Sequence, residues 1–506
     1  MKIERTKNTV RNILAGSLSR IISIVLPFFS RTAILYVLGT QYLGLSSLFS
    51  SILSFLSLTE LGIGGAMIYS MYKPIAQNDT DTIRALLNTY RRLYRIIGTV
   101  VLVVGIGIMP FLHIIVKEEL PSELNIYVLY LIYLFNSVLS YWLFAYRNAL
   151  LCAHQRDDIN SNISSILNPI SYIIMLGALF LTRNYYWYVI WLPVFTVITN
   201  ILRAFYVKRH FPGLTPYGKI SKELKQSIAK KVSALIGTKL NTVVLNASDN
   251  IVMSAFLGLT VIAMYGNYHY IISSITGFVG IIYSAMTAGL GNSLQTESLE
   301  KNYRDFMKLS FMNAWIVGFC TTCLICLYQP FMEIWCGEEL MFPFYVVLQL
   351  GLYFYIYLMR KIPVVYKDAA GIWWEDRFRP YVCMVVNLVF NIVLVQYIGI
   401  SGIILSTILS LIVSVPWENY TIFRYIFKCS SKEYYSKMLY YALSMLFGGG
   451  LTYWLCSFFG GGIPALLLRL PICIIVPNLC FALLNYRRQE FKDSLTMANR
   501  IIKRKF

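Results

Sequence analysis

Two stripes of polar residues inside apolar segments carry the first chemistry legible in this chain. Arg20, Ser23, Pro27, Ser30 and Arg31 fall at i, i+3, i+7, i+10 and i+11, which is one face of an α-helix. Lys239, Thr242, Asn246, Asp249 and Asn250 repeat that spacing 219 residues later. An ionisable side chain near the centre of a membrane helix costs roughly 2.5–3.5 kcal/mol, so it persists when it pairs or serves a substrate. Lipid satisfies no polar group, and the stripes are expected to face each other or water. Arg20, Arg31 and Lys239 are the candidate cations. Asp249 shares the face of Lys239 and is a candidate for proton or cation coupling. Glu60 is a candidate partner for Arg31 and a second candidate ion site. The alternative for Arg20 and Lys239 is that their long side chains snorkel to the inner interface.

The offset of 219 recurs outside the stripes. Leu38-Gly39 lands on Leu257-Gly258, Asp157 on Asp376 and Asn168 on Asn387. With a slip of one residue, Arg84 lands on Arg304 and Gly98 on Gly318. Internal repeats mark many secondary transporters, whose substrate site lies between the repeats.

The elements that position these residues follow from composition. Of 506 residues, 57% are hydrophobic and 13% charged, with mean hydropathy +0.60. That balance excludes a soluble globular chain. Apolar runs occupy 13–38, 43–70, 93–113, 125–150, 159–182, 185–206, 232–257, 262–291, 308–329, 341–365, 380–399, 402–427, 437–459 and 463–486. Each is long enough to cross a hydrocarbon core about 30 Å thick. They are continuously apolar rather than alternating, which excludes a β-barrel. The expected fold is an all-α polytopic membrane protein of about 14 transmembrane helices.

Basic residues set the orientation. With the N-terminus inside, 38 of the 44 Lys and Arg fall in inside segments, Lys117 and Arg183 fall outside, and four lie within helices. Both termini are therefore expected in the cytoplasm. The net charge of +20 is explained by topology, and no nucleic-acid partner is expected. A six-helix repeat enters from the same side twice, so it is a parallel repeat. The expected parts are an N-lobe at 1–206, a basic cytoplasmic linker at 207–231, a C-lobe at 232–427, and two extra helices with a basic tail at 428–506.

Other chemistry is sparse. No P-loop, zinc spacing or soluble carboxylate pair occurs. Cys320, Cys323 and Cys326 share one helix face and read as apolar packing, with neither disulfides nor a metal site expected. Gly62, Gly64 and Gly65 permit close packing or a hinge. Glu418 and Arg469 read as interfacial or structural. The stretch Tyr366 to Arg377, with Trp373 and Trp374, reads as an interfacial anchor. No cofactor is expected, and proton or sodium coupling stays open.

Several of these segments carry a family resemblance. Ser248-Asp249-Asn250-Ile251-Val252-Met253 running into Leu257-Gly258 resembles the seventh helix of Wzx-type oligosaccharide–lipid flippases. Leu38-Gly39 with Tyr42-Leu43-Gly44, Leu61-Gly62-Ile63-Gly64, Glu297 to Tyr303, and Tyr366 to Gly371 are similar to the same family. The resemblance spans essentially the whole chain. It implies the MOP superfamily, shared with MATE exporters and the lipid II flippase, and alternating access between two lobes. It implies a substrate of oligosaccharide joined through pyrophosphate to undecaprenol, carried across the bacterial cell membrane for capsule, exopolysaccharide or O-antigen synthesis, with other polysaccharide-assembly membrane proteins as partners. By position, Arg20, Arg31 and Lys239 would bind the pyrophosphate, since Arg offers a bidentate fork and Lys a point charge. Ser23, Glu60, Thr242, Asn246, Asp249 and Asn250 would line the cavity or couple an ion. Two rivals remain: a MATE-like drug exporter, which would want a more acidic cavity, and a membrane enzyme such as a polysaccharide polymerase, which would want a larger external loop.

Overall fold

The computed structural model describes residues 5–60, 62–118, 120–121 and 123–503. The side chains at 5–14, 59, 231, 234, 235, 238, 239, 246, 284, 285, 288, 289 and 497–503 lie outside that description. The described residues are helical throughout, without strands. They form two compact units, 1–263 and 264–506.

The first unit opens with α1 (Arg5–Val37), which packs on α8 (Asp157–Thr182). The run expected at 43–70 is not one helix. It is α2 (Thr40–Leu56), a 3-10 turn at Ser57–Glu60, and α3 (Ile63–Ala76). Gly62 sits at the break with φ 78°, a left-handed conformation that suits glycine. The run at 93–113 begins earlier, as α4 (Thr80–Ile108), because Asp79 caps its N-terminus by accepting from the Thr82 N–H at 3.0 Å. A short α5 (Leu112–Ile115) follows. The run at 125–150 also breaks, into α6 (Ile126–Trp142) and α7 (Ala145–Ala153), bent by 51° at Phe144 with its φ of 59°. After α8 come α9 (Tyr185–Val189), α10 (Trp191–His210) and α11 (Lys222–Leu257). The linker between α10 and α11 is tied to α4: Asn88 donates to the Gly218 carbonyl at 2.7 Å. The helix α11 packs against α2.

From α12 (Leu259–Thr296) the chain enters the second unit: α13 (Leu299–Cys336), α14 (Phe344–Met359), α15 (Lys361–Ala370), α16 (Arg379–Ile398), α17 (Ile400–Ile422), α18 (Lys432–Cys456), α19 (Gly462–Asn485) and α20 (Gln489–Lys503). The α12–α13 corner lies in the stretch 297–303. There Asn302 donates to the carbonyls of Ser293, Glu297 and Ser298. The two helices beyond the repeat, α18 and α19, pack on α13 around Phe311, Tyr441 and Phe481, all fully buried. The tail expected only as basic chain forms α20, whose Phe491 docks on the same cluster.

Among the described residues, eight helices are each long and apolar enough to cross a membrane, or nine when the bent pair α6–α7 counts as one span. The other predicted runs are also helical, several of them interrupted at breaks. Leu181 is 88% exposed and Tyr397 81%. Apolar faces of this extent need lipid, and the protein is a multi-pass membrane protein.

Candidate functional site

The stripe on α1 divides by depth. Arg20 is exposed, and Ser23, also exposed, donates back to the Ser19 carbonyl at 2.7 Å. Ser30 is buried and shares a hydrogen bond of 2.5 Å with the Tyr188 hydroxyl. Arg31, the next residue, is half-buried. On α11, Thr242 is exposed, Asp249 is buried, and Asn250 donates to Ser51 of α2 at 2.9 Å. The side chains of Lys239 and Asn246 lie outside the described residues.

The two Leu-Gly pairs of the repeat meet at one end of the first unit. Gly39 and Gly258 hold φ of 105° and 90°, the region where glycine is favoured. A Cβ on Gly44 would overlap the carbonyl of Leu259, so α2 crosses the α11–α12 turn at backbone contact. Glu118, in a loop assigned to the outside, clamps this crossing. It accepts from the N–H of Leu259 at 2.6 Å, from Thr260 at 3.2 Å (N) and 3.1 Å (Oγ1), and from Gln41 at 2.9 Å. Burial pushes its carboxyl up, but the hydrogen bonds from Gln41, Thr260 and Leu259 outweigh that and hold it below the ordinary 4.5. No feature of the sequence singled out Glu118 from its acidic neighbours.

A cavity of about 510 Å³ opens among α2, α6, α8, α9 and α10. One wall is a row of serines, Ser46, Ser50 and Ser54 of α2 and Ser57 of the 3-10 turn that follows, spaced by about one helical turn. Facing them are Tyr133, Asn136, Ser137 and Ser140 of α6, with Tyr172, Tyr188, Leu53 and Leu192 completing the lining. None of these side chains is charged. The serine row was open to sequence reading, because its period is helical. It escaped notice because serine carries no charge to betray it in an apolar run.

Ser140 also lines a second cavity of about 260 Å³, built where the two broken helices come together. Glu60, at the end of the 3-10 turn, accepts a short hydrogen bond from Tyr94. Tyr90, Tyr141 and Asn148 line the same space. Gly64 brings the α3 backbone against the hydroxyls of Tyr90 and Tyr94, so the glycines serve both the break and the packing. Breaking a helix frees backbone groups and places a carboxylate away from lipid, which is how discontinuous membrane helices build polar sites.

The second unit handles charge differently. Asp376 accepts from Lys367 at 2.5 Å and from Arg379 at 2.9 Å. Arg379 also meets Glu418 at 3.1 Å and Ser414 at 2.8 Å, and Arg360 approaches Glu418 at 3.4 Å. Lys367, Asp376, Arg379 and Glu418 are all buried, and Arg360 is half-buried. Glu418 is therefore a structural charge, in line with its sequence reading. Trp373 and Trp374 remain exposed beside this network. Cys326 meets Cys456 and Cys473 from α18 and α19, with the three sulfurs within 4.8 Å of one another. Separations of 130 and 17 residues hid this trio from any spacing rule.

No family model matches the sequence, and no curated protein matches it. Solved structures do. The lipid II flippase MurJ, in an inward closed conformation, aligns with a TM-score of 0.67 over 93% of this chain and 97% of that one, at 15% identity. The chain shares its fold with that flippase. An inward-facing MATE family multidrug resistance transporter of the MOP superfamily aligns at 0.61, with 14% identity, over 79% of this chain and 94% of its own. An outward-facing one aligns at 0.55, with 13% identity, over 83% and 95%. Identities this low establish the shared fold, and substrate must be argued from the residues of this chain.

Proposed function

We propose that this protein flips undecaprenyl-pyrophosphate-linked oligosaccharide units from the inner to the outer leaflet of the bacterial cytoplasmic membrane. The units feed capsule, exopolysaccharide or O-antigen assembly. The lobes 1–206 and 232–427 alternate in access, the linker 207–231 and both termini lie in the cytoplasm, and α18 and α19 border the lipid tail. The observation that carries the reading is the pair of guanidiniums on α1: Arg20 exposed, and Arg31 half-buried next to Ser30, whose hydroxyl meets Tyr188. A pyrophosphate does not cross hydrocarbon unaided, and forked guanidiniums bind its oxygens. Lys239 is the matching cation of the second repeat. Glu60, held by Tyr94 in a cavity whose lining includes no basic side chain, is the acid available to carry a coupling cation, with Asp249 as the second.

The same Glu60 cavity favours one other reading, export of organic cations, which want an acidic site. Proteoliposomes separate the two. Wild type is expected to flip a fluorescent undecaprenyl-pyrophosphate oligosaccharide, with flipping lost in Arg20→Ala and Lys239→Ala at unchanged folding. Ethidium transport without flipping would replace the flippase by the exporter. Flipping that survives both substitutions would keep the function and remove these residues from it.

A further inference from the structure

The serine row and the α6 face opposite it enclose the larger of the two cavities described above. We propose that this cavity of the first unit is a subsite for uncharged sugar residues, with Ser50, Ser54 and Asn136 as its recognition groups. The proposal rests on the lipid-linked oligosaccharide reading and adds the chemical class of the sugars that the wall selects.

The argument begins with where the hydroxyl protons go. Ser50 donates to the Ser46 carbonyl at 2.8 Å, Ser54 to the Ser50 carbonyl at 2.8 Å, and Ser57 to the Ser54 carbonyl at 2.6 Å. Across the cavity, Ser140 donates to the Ser137 carbonyl at 2.6 Å. Each proton is spent on the helix, so each oxygen shows the cavity its lone pairs. The wall is therefore a column of acceptors one helical turn apart. Such a column matches a ligand with several hydroxyl donors. It repels a carboxylate, whose own lone pairs would face it, and no lining residue carries a cation to offset that repulsion.

Asn136 supplies the complementary donor. Its Oδ1 accepts from Thr196 at 2.7 Å, which fixes the amide plane, and among the described residues its Nδ2 has no protein partner. Asn136 is half-buried, so this N–H group is open to water or to a bound acceptor such as a sugar hydroxyl or ring oxygen. Tyr172 and Tyr188 add phenol groups to the lining. The volume, about 510 Å³, lies within the roughly 300–1,000 Å³ usual for small-ligand sites.

The placement suits the larger substrate. Tyr188 lines the cavity and bonds Ser30, the chain neighbour of Arg31. A pyrophosphate held at Arg31 would thus leave the sugars attached to it at the mouth of the hydroxyl wall. An organic ammonium would also like the acceptors, but the lining has no carboxylate to neutralise it.

The test is binding to the full-length protein in nanodiscs. The probes are fluorescent farnesyl pyrophosphate, bare or bearing either diacetylchitobiose or a glucuronic-acid disaccharide, and the cation rhodamine 6G. Wild type is expected to bind the chitobiose probe about tenfold tighter than the bare one, the gain of one or two net hydrogen bonds. The glucuronic probe is expected to gain nothing. Asn136→Leu and the double variant Ser50→Ala/Ser54→Ala should lose the gain and keep the bare affinity. The serine pair changes little volume, so it tests the wall even where Asn136→Leu fails to fold. Equal affinity for chitobiose and bare probes, with bare binding still lost in Arg20→Ala, would overturn the sugar subsite and leave the flippase reading standing. A tighter glucuronic probe, or rhodamine binding lost in the serine variant, would also overturn it. No binding of any pyrophosphate probe would remove both readings.

Discussion

Gly98 and Gly318 stand at matching places in the two halves of the chain, and each makes room for a side chain from another helix. At Gly98 the guest is Trp142 of α6, whose ring would lie 2.6 Å from an added Cβ and whose Nε1 donates to the Arg95 carbonyl at 3.3 Å. At Gly318 the guest is Met445 of α18, a helix outside the repeat. Asp157 and Asp376 make a second such pair. Asp157 accepts from Asn160 at 2.9 Å and from the Cys152 thiol at 3.3 Å, both neutral donors. Asp376 is gripped by Lys367 and Arg379. The repeat has kept the gap and the acid while changing what answers them. The cavities of the first unit are walled by hydroxyls, amides and broken helices, and that unit pairs buried Asp158 with Arg156 at 3.0 Å. The second unit gathers Lys367, Asp376, Arg379 and Glu418 into one buried network.

The largest effect expected from this difference is at the acids. Asp376→Ala takes the acid from buried Lys367 and leaves Arg379 with Glu418 alone, and should cost about 3–5 kcal/mol, whereas Asp157→Ala loses neutral hydrogen bonds and should cost about 1–2 kcal/mol. Thermal unfolding of the two variants in one detergent measures the gap, and equal losses would erase the contrast.

The glycines come next. Gly98→Ala drives a methyl into a rigid indole and should cost about 1–3 kcal/mol. Gly318→Ala meets a flexible thioether that can swing aside, so its cost should stay under about 1 kcal/mol. The reverse order in the same melts would mean that α18 holds Met445 more firmly than its chemistry suggests.

The smallest effect concerns Gly39 and Gly258, where repeat-related turns touch each other through Glu118. Its carboxyl titrates below the ordinary 4.5, so the folded state prefers it ionised. The clamp is then at full strength above that value and weakens as pH falls through the lower, native one. Hydrogen-exchange protection of the Leu259 and Thr260 amides should drop severalfold on that descent, about the loss of one hydrogen bond. Glu118→Gln should show lower protection at neutral pH and no such descent. Protection that ignores both pH and the substitution would mean the turn is held by the Gly44 crossing alone.

Much of this architecture could be read before any coordinates. Each apolar run read from the sequence is helical among the described residues, and eight or nine of the spans are long and apolar enough to cross a membrane, because burial in lipid needs some twenty apolar residues in sequence. The Leu-Gly pairs and Asp157/Asp376 were visible because a charge or glycine at a fixed offset stands out from Leu and Ile. The breaks at Gly62 and Phe144 were not. A helix end in an apolar run depends on backbone groups finding partners elsewhere in the bundle, as at Glu60 with Tyr94. The partners of Glu418 were hidden for the same reason, since Arg360 and Arg379 reach it from other helices.

Class and the places of the apolar runs were thus determined by the sequence alone, because each depends on local composition along the chain. Tertiary structure alone decided the hydroxyl cavity, the Glu60 pocket, the clamp at Glu118 and the cysteine trio. Each needs side chains from helices far apart in sequence to arrive at one place, and no spacing along a chain encodes which faces will meet.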